Sequence, residues 1–231
     1  MMARLGVSHM PTGPSAVSQD HTLVAEYRRT IGASLERVWE NVFDWEHLPF
    51  VHAASFLDIA VEDSGAWGWR ARVGLPPAAE RQEIRIELLT ERSAGRYVTR
   101  TLEGVGSGTE IWTRLEPVSP EETDIVVEFH VPDVPPDAAE SLGRAYLELY
   151  ARLWSEDESM MRERQAAIIA RRVNPSPHSS RESLGGLEAL RATLPKLVRF
   201  RDISLWIYEQ SGTLVTWSAL CPHRLGPLGE G

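Results

Sequence analysis

Six short runs decide the fold: FLDIAVED (56–63), WGWRARVGL (67–75), EIRIELLTER (83–92), RYVTRTLEG (96–104), TEIWTRLEPV (109–118) and TDIVVEFHV (123–131). Each alternates apolar and polar residues and is rich in β-branched or aromatic side chains, the pattern of strands with one buried face. Turn formers separate them, as in Asp63-Ser64-Gly65, Ala94-Gly95 and Gly106-Ser107-Gly108. The spacing predicts an antiparallel meander of hairpins.

Working outward, the stretch 137–172 follows Pro135-Pro136, contains no Pro and one Gly, and repeats apolar residues at three and four. This predicts one long helix. Upstream, TLVAEYRRTI (22–31) predicts a strand. A helix is expected from Ser34, whose hydroxyl can cap the first turn, with Leu35, Val38, Trp39, Val42 and Phe43 at helical spacing. Residues 1–20 lack periodicity and are expected to be a disordered leader. Residues 173–186 (VNPSPHSSRESLGG) are Pro-, Ser- and Gly-rich and predict a linker. Residues 187–231 hold two or three further strands and a Gly/Pro loop. The class expected is α+β, a curved antiparallel sheet gripping a helix with a cavity between, followed by a small all-β unit.

With 231 residues, 42% hydrophobic and 25% charged, the chain suits one sizeable core and an appendage. A net charge of -9 without a dense basic run argues against nucleic-acid binding. No stretch approaches the roughly 18 apolar residues of a spanning helix, and the N-terminus lacks a signal-peptide core. The single cysteine, Cys221, gives no argument for an oxidising compartment, so the cytoplasm is the expectation, without membrane association. There is no phosphate-binding glycine loop, nucleotide fingerprint or G-x-S-x-G elbow, which counts against kinases, dehydrogenases and hydrolases.

Three stretches carry chemistry. WENVFDWEHLPFVH (39–52) places Asp44, His47 and His52 in a D-x-x-H-x-x-x-x-H pattern. On a helix Asp44 and His47 share a face. His52 would leave it unless the chain turns, and Pro49 is expected to push Leu48 out of the helical region and supply that turn. An Asp three residues from a ligating His can accept its free ring N–H. LWSEDESMMRERQ (153–165) offers the carboxylates Glu156, Asp157 and Glu158 beside apolar Trp154, Met160 and Met161. CPHRLGPLGEG (221–231) pairs Cys221 with His223. A bland reading stands beside each: a solvated helix end, an acidic helix turn and an ordinary turn with a free thiol.

The sheet-and-helix order resembles the helix-grip fold of START-like ligand carriers and of the catalytic domain of Rieske oxygenases. The 39–52 stretch, with Glu40-Asn41 and Pro-Phe-Val, resembles the mononuclear iron motif of Rieske oxygenase alpha subunits. The resemblance implies that His47, His52 and Asp157 bind Fe(II), that Asp44 is a catalytic bridge carrying electrons from a cluster, and that Cys221 and His223 are half the ligands of a [2Fe-2S] Rieske centre. It implies a helix-grip catalytic domain at 21–172 and an incomplete Rieske domain at 187–231. Two thiolates are needed and the chain has one.

The implied function is hydroxylation or demethylation of a small organic substrate using O2. Electrons would come from a ferredoxin or reductase, in a homo-oligomer. The resemblance departs from that family in reversed domain order, a short catalytic unit and a missing second cluster loop. The alternatives are a metal-free START-like binder of an apolar ligand and an inactive oxygenase fragment. Trp67, Trp69, Trp112, Leu153 and Trp154 are expected to line the pocket in part. His9, His21, His130 and His178 are expected at the surface or in loops.

Overall fold

The computed structural model describes residues 17, 18, 20–77, 82–173, 183–200 and 203–219. Two compact units divide the chain, Met1–Ser159 and Met160–Gly231.

In the first unit, strand β1 (His21–Ile31) leads to helix α1 (Leu35–Phe43). The Ser34 hydroxyl caps that helix, accepting the Arg37 N–H at 3.3 Å. A 3₁₀ turn (Trp45–His47) and a short helix α2 (Leu48–Val51) follow. Then come β2 (Asp58–Gly65), β3 (Gly68–Leu75), β4 (Gln82–Glu91), β5 (Arg96–Glu103), β6 (Glu110–Ser119) and β7 (Glu122–Pro132). All neighbouring strands run antiparallel, and β1 closes the seven-stranded sheet against β7 in the order β1-β7-β6-β5-β4-β3-β2. The six alternating runs are the six strands β2 to β7.

Alternation gives the sheet two faces of different use. Trp69, Leu88, Tyr97, Thr113, Val127 and Phe129 point one way, and helix α3 (Ala139–Val173) lies on that face in this unit. Phe129 stacks on Tyr146 at 4.9 Å and meets Tyr150 edge-on at 4.7 Å. Close approach is secured at Gly143, where a Cβ would sit 2.3 Å from the Val24 carbonyl oxygen on β1. On the opposite face Leu89, Val98 and Trp112 form a separate buried cluster with Val17 and Trp67 packed against it. Two of the tryptophans expected at the pocket therefore belong to the other side of the sheet.

The second unit contains α4 (Leu187–Arg191) and an antiparallel sheet of β8 (Lys196–Phe200), β9 (Ile203–Gln210) and β10 (Thr213–Ser218), ordered β10-β9-β8. Cys221 and His223 lie outside the described residues, as do His9 and His178. A Rieske-like unit is not what this small sheet shows.

Candidate metal centre and pocket

The turn between the two histidines is built differently from expectation. Leu48 keeps helical angles (φ -50°, ψ -52°) despite preceding Pro49, and the break falls at Asp44 (φ -92°, ψ 78°) between α1 and the 3₁₀ turn. Proline in the first turn of α2 costs no hydrogen bond, because amides there have no helical partner. Proline thus starts a new helix rather than ending the old one, and the new axis carries His52 back beside His47, with ring centroids 5.2 Å apart.

From α3, Asp157 reaches the same point. One donor atom each from His47, His52 and Asp157 lies within 4.8 Å of the others, and all three residues are buried, at 6%, 2% and 8% exposure. Asp157 Oδ1 stands 3.0 Å from His52 Nε2 and 3.4 Å from His47 Nε2. Neither approach has the alignment of a hydrogen bond, so this buried oxygen is left without a partner.

The outer nitrogens explain why. His47 Nδ1–H donates to the main-chain carbonyl of Asp44, and His52 Nδ1–H donates to Glu156 Oε2 at 2.7 Å. A neutral imidazole has one N–H. With both spent outward, both Nε2 lone pairs and the Asp157 oxygen converge as three acceptors in a buried space. That arrangement repels itself unless a cation lies among them. The donor set, two imidazoles and one carboxylate with second contacts fixing each ring, fits a divalent transition metal.

Protonation of His52 is the alternative way to satisfy Asp157. Burial alone would raise the Asp157 carboxyl, but the neighbouring His47 and His52 outweigh it and hold the group below the usual carboxylate range. Burial lowers His52, and Asp157 and then Glu156 overcome this and raise it above the ordinary histidine value.

The three consecutive acids have separate partners. Glu156 holds His52, Asp157 faces both imidazoles, and Glu158 binds Arg29 of β1 at 2.5 Å and the Gly32 N–H at 2.8 Å. Asp44 lines the pocket, and its carbonyl, not its carboxylate, is what meets His47. His130, expected at the surface, is buried on β7 with its Nε2 3.2 Å from Glu128. His21 opens β1, half-buried, with Nε2 2.6 Å from the Gly108 carbonyl.

Beside the three donors opens a cavity of about 140 Å³, lined on its apolar side by Val42, Leu48, Phe56, Trp69, Leu153 and Trp154. Trp69 is fixed by its indole N–H donating to the Val42 carbonyl at 2.9 Å. Asn41 also lines the cavity. In the sequence Asn41 is only one member of the 39–52 stretch, and the signal it carries is its place in the last turn of α1, three residues before Asp44.

No family model matches the chain, and no curated protein matches it in sequence. Solved structures do match. A START superfamily protein from Mycobacterium smegmatis is 17% identical with a TM-score of 0.49, covering 60% of this chain and 96% of that one. The Zhui aromatase/cyclase from a Streptomyces strain is 16% identical with a TM-score of 0.49, covering 65% and 95%. Norcoclaurine synthase from Thalictrum flavum, in complex with dopamine and hydroxybenzaldehyde, is 14% identical with a TM-score of 0.46, covering 76% and 100%. At these scores the likeness carries no argument about activity.

These matches are START-superfamily, cyclase and synthase structures, and the expectation of a Rieske dioxygenase with a [2Fe-2S] cluster is corrected accordingly. The large antiparallel sheet with its long helix supports the START-like half of the resemblance. Among the described residues, no helix is long and apolar enough to cross a membrane.

Proposed function

We propose that the chain is a START-like small-molecule-binding protein whose pocket is built around one divalent metal, Fe(II) being the ion this donor set suits, and that it acts on the bound molecule through that metal. The observation that carries the reading is the convergence of His47 Nε2, His52 Nε2 and an unpartnered Asp157 Oδ1 at the edge of an apolar cavity. A metal held there supplies a Lewis-acidic, redox-capable centre with coordination positions left open.

The chain's own residues do the rest. His47 and His52 keep their Nε2 lone pairs free because the Asp44 carbonyl and Glu156 take the other ring protons. Asp157 balances charge from the far side. Phe56, edge-on to His52 at 6.1 Å, and Trp69 keep water from that flank and offer apolar surface to a ligand.

The test is metal analysis of the full chain after anaerobic incubation with Fe(II) and desalting. About one ion per chain is expected for the wild type and less than a tenth of that for Asp157→Ala. A folded wild type that retains only trace metal overturns the metal half of the reading. It would leave a metal-free carrier in which His52 is held protonated between Glu156 and Asp157, as its raised pKa favours.

A further inference from the structure

Asn41 sits on α1 and lines the same cavity, yet its side-chain oxygen is buried without a hydrogen-bond partner while the residue is only 9% exposed. Leaving a buried amide oxygen unpaired is costly, because the group gives up its water and gains no partner in exchange. A group kept at that cost beside an empty apolar space reads as one half of a contact that a ligand completes.

The surroundings narrow the ligand. A cavity of about 140 Å³ is close to the roughly 150 Å³ that admits benzene in a protein interior. The space suits one ring and little more. Among the described residues none that lines the cavity is Lys or Arg, so an anionic ligand meets no counter-charge from them, and Asp44 and Asp157 oppose it. The other polar residues on the wall include Thr99, Tyr97 and Tyr150, and burial keeps the two tyrosines in their neutral form. Trp69 has already spent its N–H on Val42.

We infer that Asn41 is the specificity-determining residue of the pocket, accepting a hydrogen bond from the hydroxyl or N–H of a neutral, single-ring ligand. The inference rests on the ligand-binding reading above and names its substrate class. A site with a buried acceptor rejects the analogue that lacks the donor, because the acceptor is then sealed from water unpaired.

Phenol and toluene differ only in hydroxyl against methyl on the same ring. Both are titrated calorimetrically into the full chain, metal-loaded and chelator-treated, for the wild type and for Asn41→Leu. The expected result is a preference for phenol of at least tenfold in the wild type, falling to within about twofold in Asn41→Leu in both metal states. If the leucine variant does not fold, Asn41→Ser, which is smaller and shortens the reach, is read in the same way. A wild-type ratio near one, or a ratio unchanged in the variant, overturns the inference while leaving toluene binding and metal loading to uphold the pocket itself. Failure of the wild type to bind either ring overturns the inference and the ligand-binding reading together, and the metal content then stands as a separate result.

Discussion

His52 is gripped by two neighbouring residues of one helix: Glu156 Oε2 lies 2.7 Å from its Nδ1, and Oδ1 of Asp157 lies 3.0 Å from its Nε2. Glu156 thereby decides which nitrogen of His52 is left to bind a metal.

Replacing that carboxylate without changing its size isolates the effect. Glu156→Gln is expected to weaken metal binding by about 10–100-fold, with the helix intact, since second contacts to ligating histidines carry that much. Competition against a chelator of known affinity measures it. An unchanged affinity would mean that the Glu156 charge does nothing for the ring.

The metal-free chain should show an unusual pH dependence. The pKa of His52 is raised in the folded state above its ordinary 6.5. Its contribution to stability is therefore complete below about pH 6.5 and is lost as pH rises through the raised folded value. Chemical denaturation of chelator-treated protein should give falling stability across that window. Added metal, which binds the neutral ring, should reverse the fall at the upper end. The same protonation should make metal loading fail earlier on acidification than an ordinary histidine would allow.

Trp69→Phe removes the indole N–H that pairs with the Val42 carbonyl at 2.9 Å and leaves that oxygen buried. A loss of about 2 kcal/mol is expected from the unmatched acceptor and the smaller ring. Urea denaturation with an unchanged slope would assign it to the folded state.

Gly143→Ala tests helix propensity against space. Alanine favours a helix interior by about 1 kcal/mol. Its Cβ would, however, stand 2.3 Å from the Val24 carbonyl oxygen and 3.3 Å from the Ala25 Cβ, and backbone there cannot yield cheaply. Overpacking of about 1–3 kcal/mol should win, giving a net loss. A thermal midpoint above that of wild type would show that α3 can lift from β1.

The alternation of strands, the Ser34 cap and the long helix were all legible because each is local: period two, period 3.6 and a capping hydroxyl. What was not legible depended on contacts across the chain. Leu48 was expected to leave the helical region, as residues before proline usually do, and it did not because a new helix begins there. Asp44 was expected to reach His47 with its carboxylate, but the 3₁₀ turn brings its carbonyl instead. Trp67 and Trp112 alternate with the right period, yet period alone does not say which face is gripped by the helix. Asn41 carried no pattern of its own and is informative only once its oxygen is seen to lack a partner.

Glu156, Asp157 and Glu158 engage three different sets of atoms, with Arg29 and Gly32 taking the last. Farther back along α3, Gly143 is pressed against Val24. The helix is thus indexed at two places, and adding or deleting one residue between them would turn the acids by about 100° and slide them by about 1.5 Å. Any such frame change sets a wrong acid against the imidazoles and strips Arg29 of its anion. A turn such as Gly104–Gly108, between β5 and β6, transmits no such rotation. Between Gly143 and Glu158 the tolerated number of inserted residues is therefore zero, because even a whole turn would carry the acids about 5.4 Å past the imidazoles.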